Sequence, residues 1–190
     1  YYLQLLDMEK VIIKKEETQT DKAENVYKEA IAAMDMMKNI FDYSLMAGKV
    51  LINYREYGTS RGAKQNAAIN EIVANPLAND FNKAISLRAK EAFYRLRELI
   101  CNSRADYSKT LDALKMRHSI VLQNPEPFKD YIIDYNSDIL LSLIITCLNM
   151  NRSDEAERYL LKFRETISPG SGDNIDYEIF RIYLKFQIYL

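Results

Sequence analysis

Four small residues recur along this 190-residue chain at nearly constant spacing. Ala23, Ala67, Thr110 and Ala156 are separated by 44, 43 and 46 positions, and each falls early in the second of two successive helical patterns. A small side chain there lets two antiparallel helices approach closely, so the recurrence has a packing cause. A period of this size constrains the fold more than any single motif does. It predicts stacked helix pairs, each unable to bury its apolar face alone. The stretch "LNMNRSDEAERYLLKF", residues 148–163, then reads as one hairpin of a series.

Period and punctuation together predict about nine helices. The first covers residues 2–16, with Leu5, Leu6, Met8, Ile12 and Ile13 on one side, and "TQTD" interrupts it. Asp21 and Glu24 then stand at capping-box spacing for a second helix carrying Val26, Tyr27, Ala30, Ile31 and Met34. A third runs from 43 to 57 and stops at "GTSRG". The fourth, "AKQNAAINEIVA", ends before Asn75-Pro76, because the residue before a proline disfavours the helical conformation. Further helices are expected over 81–102, 106–123 (ended by "NPEP"), 129–150, 154–167 (closed by "SPGSG") and 174–190. No stretch keeps the alternation of a strand, and five glycines with four prolines are too few for an all-β chain. The expected architecture is all-α: a single domain built as a right-handed array of antiparallel helix pairs at 1–38, 41–75, 81–124 and 129–168, with a final helix at 174–190.

The pairs themselves carry a family likeness. "AENVYKEA", with Ala23, Tyr27 and Ala30, has the spacing of the second helix of a tetratricopeptide repeat. Leu140, Leu143, Ile144 and Cys147, followed by Ala156, Leu160 and Phe163, are similar to a complete pair of that family. The period is nearer 44 than the family's 34, and the family's Trp and Gly are missing, so the chain resembles a tetratricopeptide-like array with lengthened helices. The order of segments also resembles the middle of longer bacterial helical-repeat proteins of uncharacterised role. That resemblance implies an α-solenoid with a binding role, brings no catalytic residues with it, and makes the chain a piece of a longer one. The apolar segment "NIDYEIFRIYLKFQIYL" agrees with this, since it calls for a further partner surface, either a following helix or a second copy in a homo-oligomer.

Charge and cysteine usage narrow the function classes. Lys plus Arg number 26 against 27 Asp plus Glu, so no whole-molecule field draws the chain to nucleic acid or membrane. The longest uncharged apolar run, residues 139–151, is shorter than the ~20 residues of a spanning helix, and no signal peptide is expected in the opening "YYLQLLDMEK", which has no basic n-region. Cys101 and Cys147 lie inside apolar helical patterns and are expected as free buried thiols of a cytoplasmic protein.

No catalytic motif stands out. His118, the only histidine, has no Cys or carboxylate at metal-ligand spacing. Neither cysteine has a base beside it. "GTSRG" lacks the Lys-Ser/Thr of a phosphate loop and reads as a turn. Glu16-Glu17 and Asp154-Glu155 sit at helix ends, where they complement dipoles or stay solvated. No catalytic residue, cofactor or metal is expected.

One segment is unbalanced. Lys83, Arg88, Lys90, Arg95, Arg97 and Arg104 face only Glu91 and Glu98. Arg88 and Arg95, seven apart, share one helix face, and Lys90 and Arg97 share another beside it. If the first helix of each pair lines the concave surface, Arg88, Lys90, Arg95 and Arg97 form a clamp for an acidic peptide or a terminal carboxylate. The plainer alternative is a solvated face crossed by the intrahelix pairs Arg88–Glu91 and Glu91–Arg95. Phe93 and Tyr94 interleave these charges, but the 14 tyrosines are spread over nearly every helix as packing residues, which disfavours a nucleic-acid platform. The expected function is a non-enzymatic scaffold binding a protein or peptide. The alternative is a ligand-sensing module of a bacterial signalling or transcription-control protein.

Overall fold

The computed structural model describes residues 20–57 and 62–167. Among these residues every regular element is helical, as the lack of strand alternation predicts. Seven α-helices follow in order: α1 Thr20–Tyr57, α2 Ala63–Ala74, α3 Pro76–Asn79, α4 Leu87–Ser103, α5 Tyr107–Gln123, α6 Ile132–Asn149 and α7 Ser153–Ile167. Short 3₁₀ turns at Phe81–Lys83 and Glu126–Tyr131 lead into α4 and α6. The expected helices at 2–16 and 174–190, and the self-association surface placed on the latter, lie outside the described residues.

The last four helices form two antiparallel hairpins joined by the same turn. Ala105 and Asn151 adopt left-handed backbone, with φ of 54° and 56°. In each turn the following amide reaches back five residues: Asp106 N–H donates to Cys101 O at 2.9 Å, and Arg152 N–H to Cys147 O at 2.9 Å. This is a helix stop in which a left-handed residue turns an amide onto an otherwise unpaired carbonyl. Thr110 and Ala156, one turn into the returning helices, are both buried, as the small-residue period predicts. Side-chain caps fix where α4 and α5 begin: Ser86 accepts from Ala89 N–H at 3.1 Å and Asp106 from Lys109 N–H at 3.2 Å.

The break expected between the first two pairs is absent. Residues 20–57 make one unbroken helix, with no loop near residue 40. Nothing in "MMKNIFDY" stops a helix, since it holds neither Gly nor Pro. Asn39 is held inside the helix by its amide, which donates to Lys83 O at 3.0 Å and accepts from Ile85 N–H at 3.1 Å. The inner face of the C-terminal half of α1 packs on α4, with Tyr43 edge-on to Phe93 at 6.0 Å. Ala67, expected at a close helix approach, is exposed, and α2 instead buries Ile69 and Ile72. Tyr27 is exposed as well. Helix α4 starts at Leu87 rather than at 81, because Ser86 caps it. The helix before Pro76 ends at Ala74 as predicted, with Asn75 extended and capping α3 through Leu77 N–H at 2.9 Å.

The core has two apolar clusters. One joins α1–α4 around Tyr43, Val50, Ile69 and Leu96, and the other joins α5–α7 around Leu114, Phe128, Leu143 and Phe163. The segment Glu126–Asn149 is long and apolar enough, by length and composition, to cross a membrane. Here Leu140, Leu143, Ile144 and Cys147 of that segment are buried in the second cluster.

Candidate functional site

The four basic residues of α4 divide into two pairs that do not meet. Lys90 lies over the Phe81 ring, its Nζ 5.3 Å from the centroid, in a cation–π contact. Arg97 lies on the same side, close enough to Cys101 and Lys109 to influence their ionisation. Arg88 and Arg95 are exposed on the other side, toward the start of α6. Arg88 Nε–H donates to Pro127 O at 2.8 Å. Tyr135 sits between α4 and this region: burial and Glu91 push its phenol up, while Arg88, Arg95 and Arg117 pull it down. Arg104 has turned elsewhere and donates to Asn70 Oδ1 at 2.8 Å.

Glu91 and Glu98 do not neutralise these arginines through intrahelix pairs. Both are buried and both bind Arg117 of α5, which is 1% exposed. Arg117 Nε–H donates to Glu91 Oε1 at 2.9 Å and its Nη2 stands 2.8 Å from the same oxygen. Its Nη1 donates to Glu98 Oε2, and Nη2 reaches Asp138 Oδ2 of α6 at 3.2 Å. One planar guanidinium thus binds three carboxylates from two other helices, using the forked geometry that lysine lacks. Burial pulls the Arg117 pKa down, but Glu98, Glu91 and Asp138 outweigh it and the pKa is raised. Burial pushes the Glu98 carboxyl up, against the charge and hydrogen bond of Arg117.

Sequence reading missed this cluster, though a signal was present. By the 46-position register relating Thr110 to Ala156, Leu114 corresponds to Leu160 and Arg117 to Phe163. Arg117 therefore stands where the second hairpin places a buried apolar residue. Glu91 and Glu98, seven apart, share the helix face that meets it.

Elsewhere the chemistry is sparse among the described residues. No group of three or more His, Cys, Asp or Glu side chains could hold a metal ion. Burial and Lys162 push the half-buried His118 imidazole down, away from protonation at neutral pH. Asp154 and Glu155 open α7 beside a shallow depression lined also by Asn151, Arg152 and Arg158, and Glu155 is paired with Arg152 at 3.4 Å.

Cys101 and Cys147 are free and buried, and burial raises both thiol pKa values. Thiolates are the reactive form. A thiol reagent at neutral pH is therefore expected to find neither cysteine in the folded chain and both after denaturation. Modification of the native chain at the denatured rate would contradict this arrangement.

No family model, no curated protein and no solved structure matches the chain.

Proposed function

We propose that the chain is a non-enzymatic scaffold of tetratricopeptide-like helix pairs that binds an acidic protein segment through Arg88 and Arg95. The observation that carries this reading is the diversion of Glu91 and Glu98 onto Arg117. It leaves two arginines on one exposed face with no ion pair of their own among the described residues. Arg88 spends its Nε–H on Pro127 O, which leaves its two terminal nitrogens to receive a carboxylate end-on. Tyr135 adds a partly buried ring beside them. The two hairpins with matching turns support an α-solenoid in which α4 and α6, the first helices of consecutive pairs, line one surface. Lys90 and Arg97 belong to the other side of α4 and serve packing and solvation.

Titration of fluorescein-labelled peptides rich in Asp and Glu, with free C-terminal carboxylates, tests this. The parent is expected to bind some of them, more weakly as salt rises. Arg88→Glu/Arg95→Glu is expected to weaken binding at least about tenfold, or ~1.4 kcal/mol, with unchanged helical circular dichroism. Equal affinity in parent and variant, or no acidic peptide bound tighter than ~1 mM, overturns the assignment. Lys90→Glu serves as the control on the opposite side and is expected to have little effect.

A further inference from the structure

The outer face of α1 carries a long apolar seam that packs on nothing among the described residues. Tyr27, Ile31, Met34, Phe41, Leu45 and Ile52 are 42–65% exposed. Lys38 and Gly48 fill the two gaps, so the seam keeps alternating spacings of four and three from residue 27 to residue 52. This is the heptad spacing of a helix that packs along another helix, over roughly 39 Å. It lies opposite the face that binds α4 through Tyr43, Ala47 and Val50.

We propose that this seam pairs with the same seam of a second copy of the chain, the two α1 helices running antiparallel about a two-fold axis. The seam is complementary to itself in that direction and not in the other. Run antiparallel, it sets Tyr27 against Ile52, Met34 against Leu45, Ile31 against Gly48 and Lys38 against Phe41. A large side chain meets a notch, and a cation meets an aromatic ring. Run parallel, it would stack Lys38 on Lys38 and Gly48 on Gly48, giving a like-charge contact and a void.

Gly48 supports the assignment independently. A Cβ built there meets no atom within 4 Å. Glycine weakens a helix interior, and nothing among the described residues requires it at this position, whereas an Ile31 facing it from a second copy would. Charge does not oppose the pairing. Between residues 27 and 52, Lys28, Lys38 and Lys49 balance Glu29, Asp35 and Asp42. Side chains of this size at about half exposure offer roughly 700 Å² per partner, close to the ~800 Å² of a stable interface.

Sedimentation equilibrium of the full chain tests the pairing. The wild type is expected to reach twice the chain mass within ~1–100 µM. Ile31→Glu/Leu45→Glu is expected to remain at the single-chain mass, with unchanged circular dichroism because both side chains are exposed. Cysteine crosslinking then reads the direction. Met34→Cys/Leu45→Cys is expected to yield a covalent dimer on oxidation, while either single variant does not. In the antiparallel pair, the two copies of residue 34, like the two copies of residue 45, are offset by roughly 16 Å along the helix axis, too far for a disulfide. A wild type that stays at the single-chain mass, or a glutamate variant that associates equally well, overturns the proposal and leaves the seam to another occupant. Crosslinking of each single variant to itself overturns the antiparallel arrangement.

Discussion

Arg117→Ala is expected to lower the free energy of unfolding by about 3–5 kcal/mol, the usual cost of removing one partner from a buried ion pair. For a chain of this length that corresponds to a fall in Tm of about 10 °C. The loss arises less from missing attraction than from what stays behind. Glu91 and Glu98, 3% and 8% exposed, would keep their carboxylates in a low-dielectric site with no cation within hydrogen-bond reach. Arg95 lies close enough to lower the Glu98 pKa, but it is exposed and screened. Arg117→Met combined with Glu91→Gln and Glu98→Gln separates the two causes. If uncompensated charge is responsible, the triple variant regains more than half of the loss in urea denaturation. If a cavity is responsible, it regains little.

The same cluster gives a pH signature with an unusual sign. Most paired carboxylates have lowered folded pKa values, but burial raises that of Glu98 above the ordinary value of 4.5. The folded state therefore holds the Glu98 proton more tightly than the unfolded state does. Its contribution to stability is fully present below the unfolded pKa and is lost as pH rises through the raised folded value. Glu98→Gln stays neutral throughout and accepts from Arg117 as before. The variant is expected to match the wild type at the acid end of this window and to gain relative stability toward neutral pH. A difference independent of pH would show that Glu98 does not titrate in this range.

What the sequence shows directly is local. The α6–α7 hairpin was legible residue by residue, since Leu140, Leu143, Ile144 and Cys147 bury against Ala156, Leu160 and Phe163. Pro76 marked a helix boundary because its ring restricts the preceding backbone. Asp106 is a favourable capping residue and stands where α5 begins. The exposed arginine pair was legible only in half. A spacing of seven correctly placed Arg88 with Arg95, but helical periodicity does not tell which face meets a neighbour. Glu91, three residues from Arg88 and four from Arg95, had the spacing for surface pairs. It turns inward instead, because Arg117 arrives from 26 positions away. A contact between three helices has no local signature. Only the repeat register, which sets an arginine where Phe163 stands, hints at it.

The unbroken α1 leads to the second large effect. Phe41→Pro is expected to destabilise the chain by about 3 kcal/mol or more relative to Phe41→Ala. Phe41 is 65% exposed, so either substitution removes little internal packing, and the comparison isolates the backbone. In a continuous helix, proline at 41 removes the bond from its own amide to the carbonyl of residue 37 and crowds that carbonyl. In a loop between two shorter helices, which the 44-residue period suggests for this point, proline would cost little. Urea denaturation followed by circular dichroism distinguishes the two. Near-equal stability of the two variants would restore the hairpin. Loss of helicity spreading from residue 41 would support the single helix. The cost also has a route into the core, because Asn39 joins α1 to the chain at Lys83 and Ile85 just before the Ser86 cap of α4. A kink at 41 disturbs that junction, and with it the register in which Tyr43 meets Phe93. The length of α1 thus positions α4, and α4 in turn carries both the buried carboxylates and the exposed arginines.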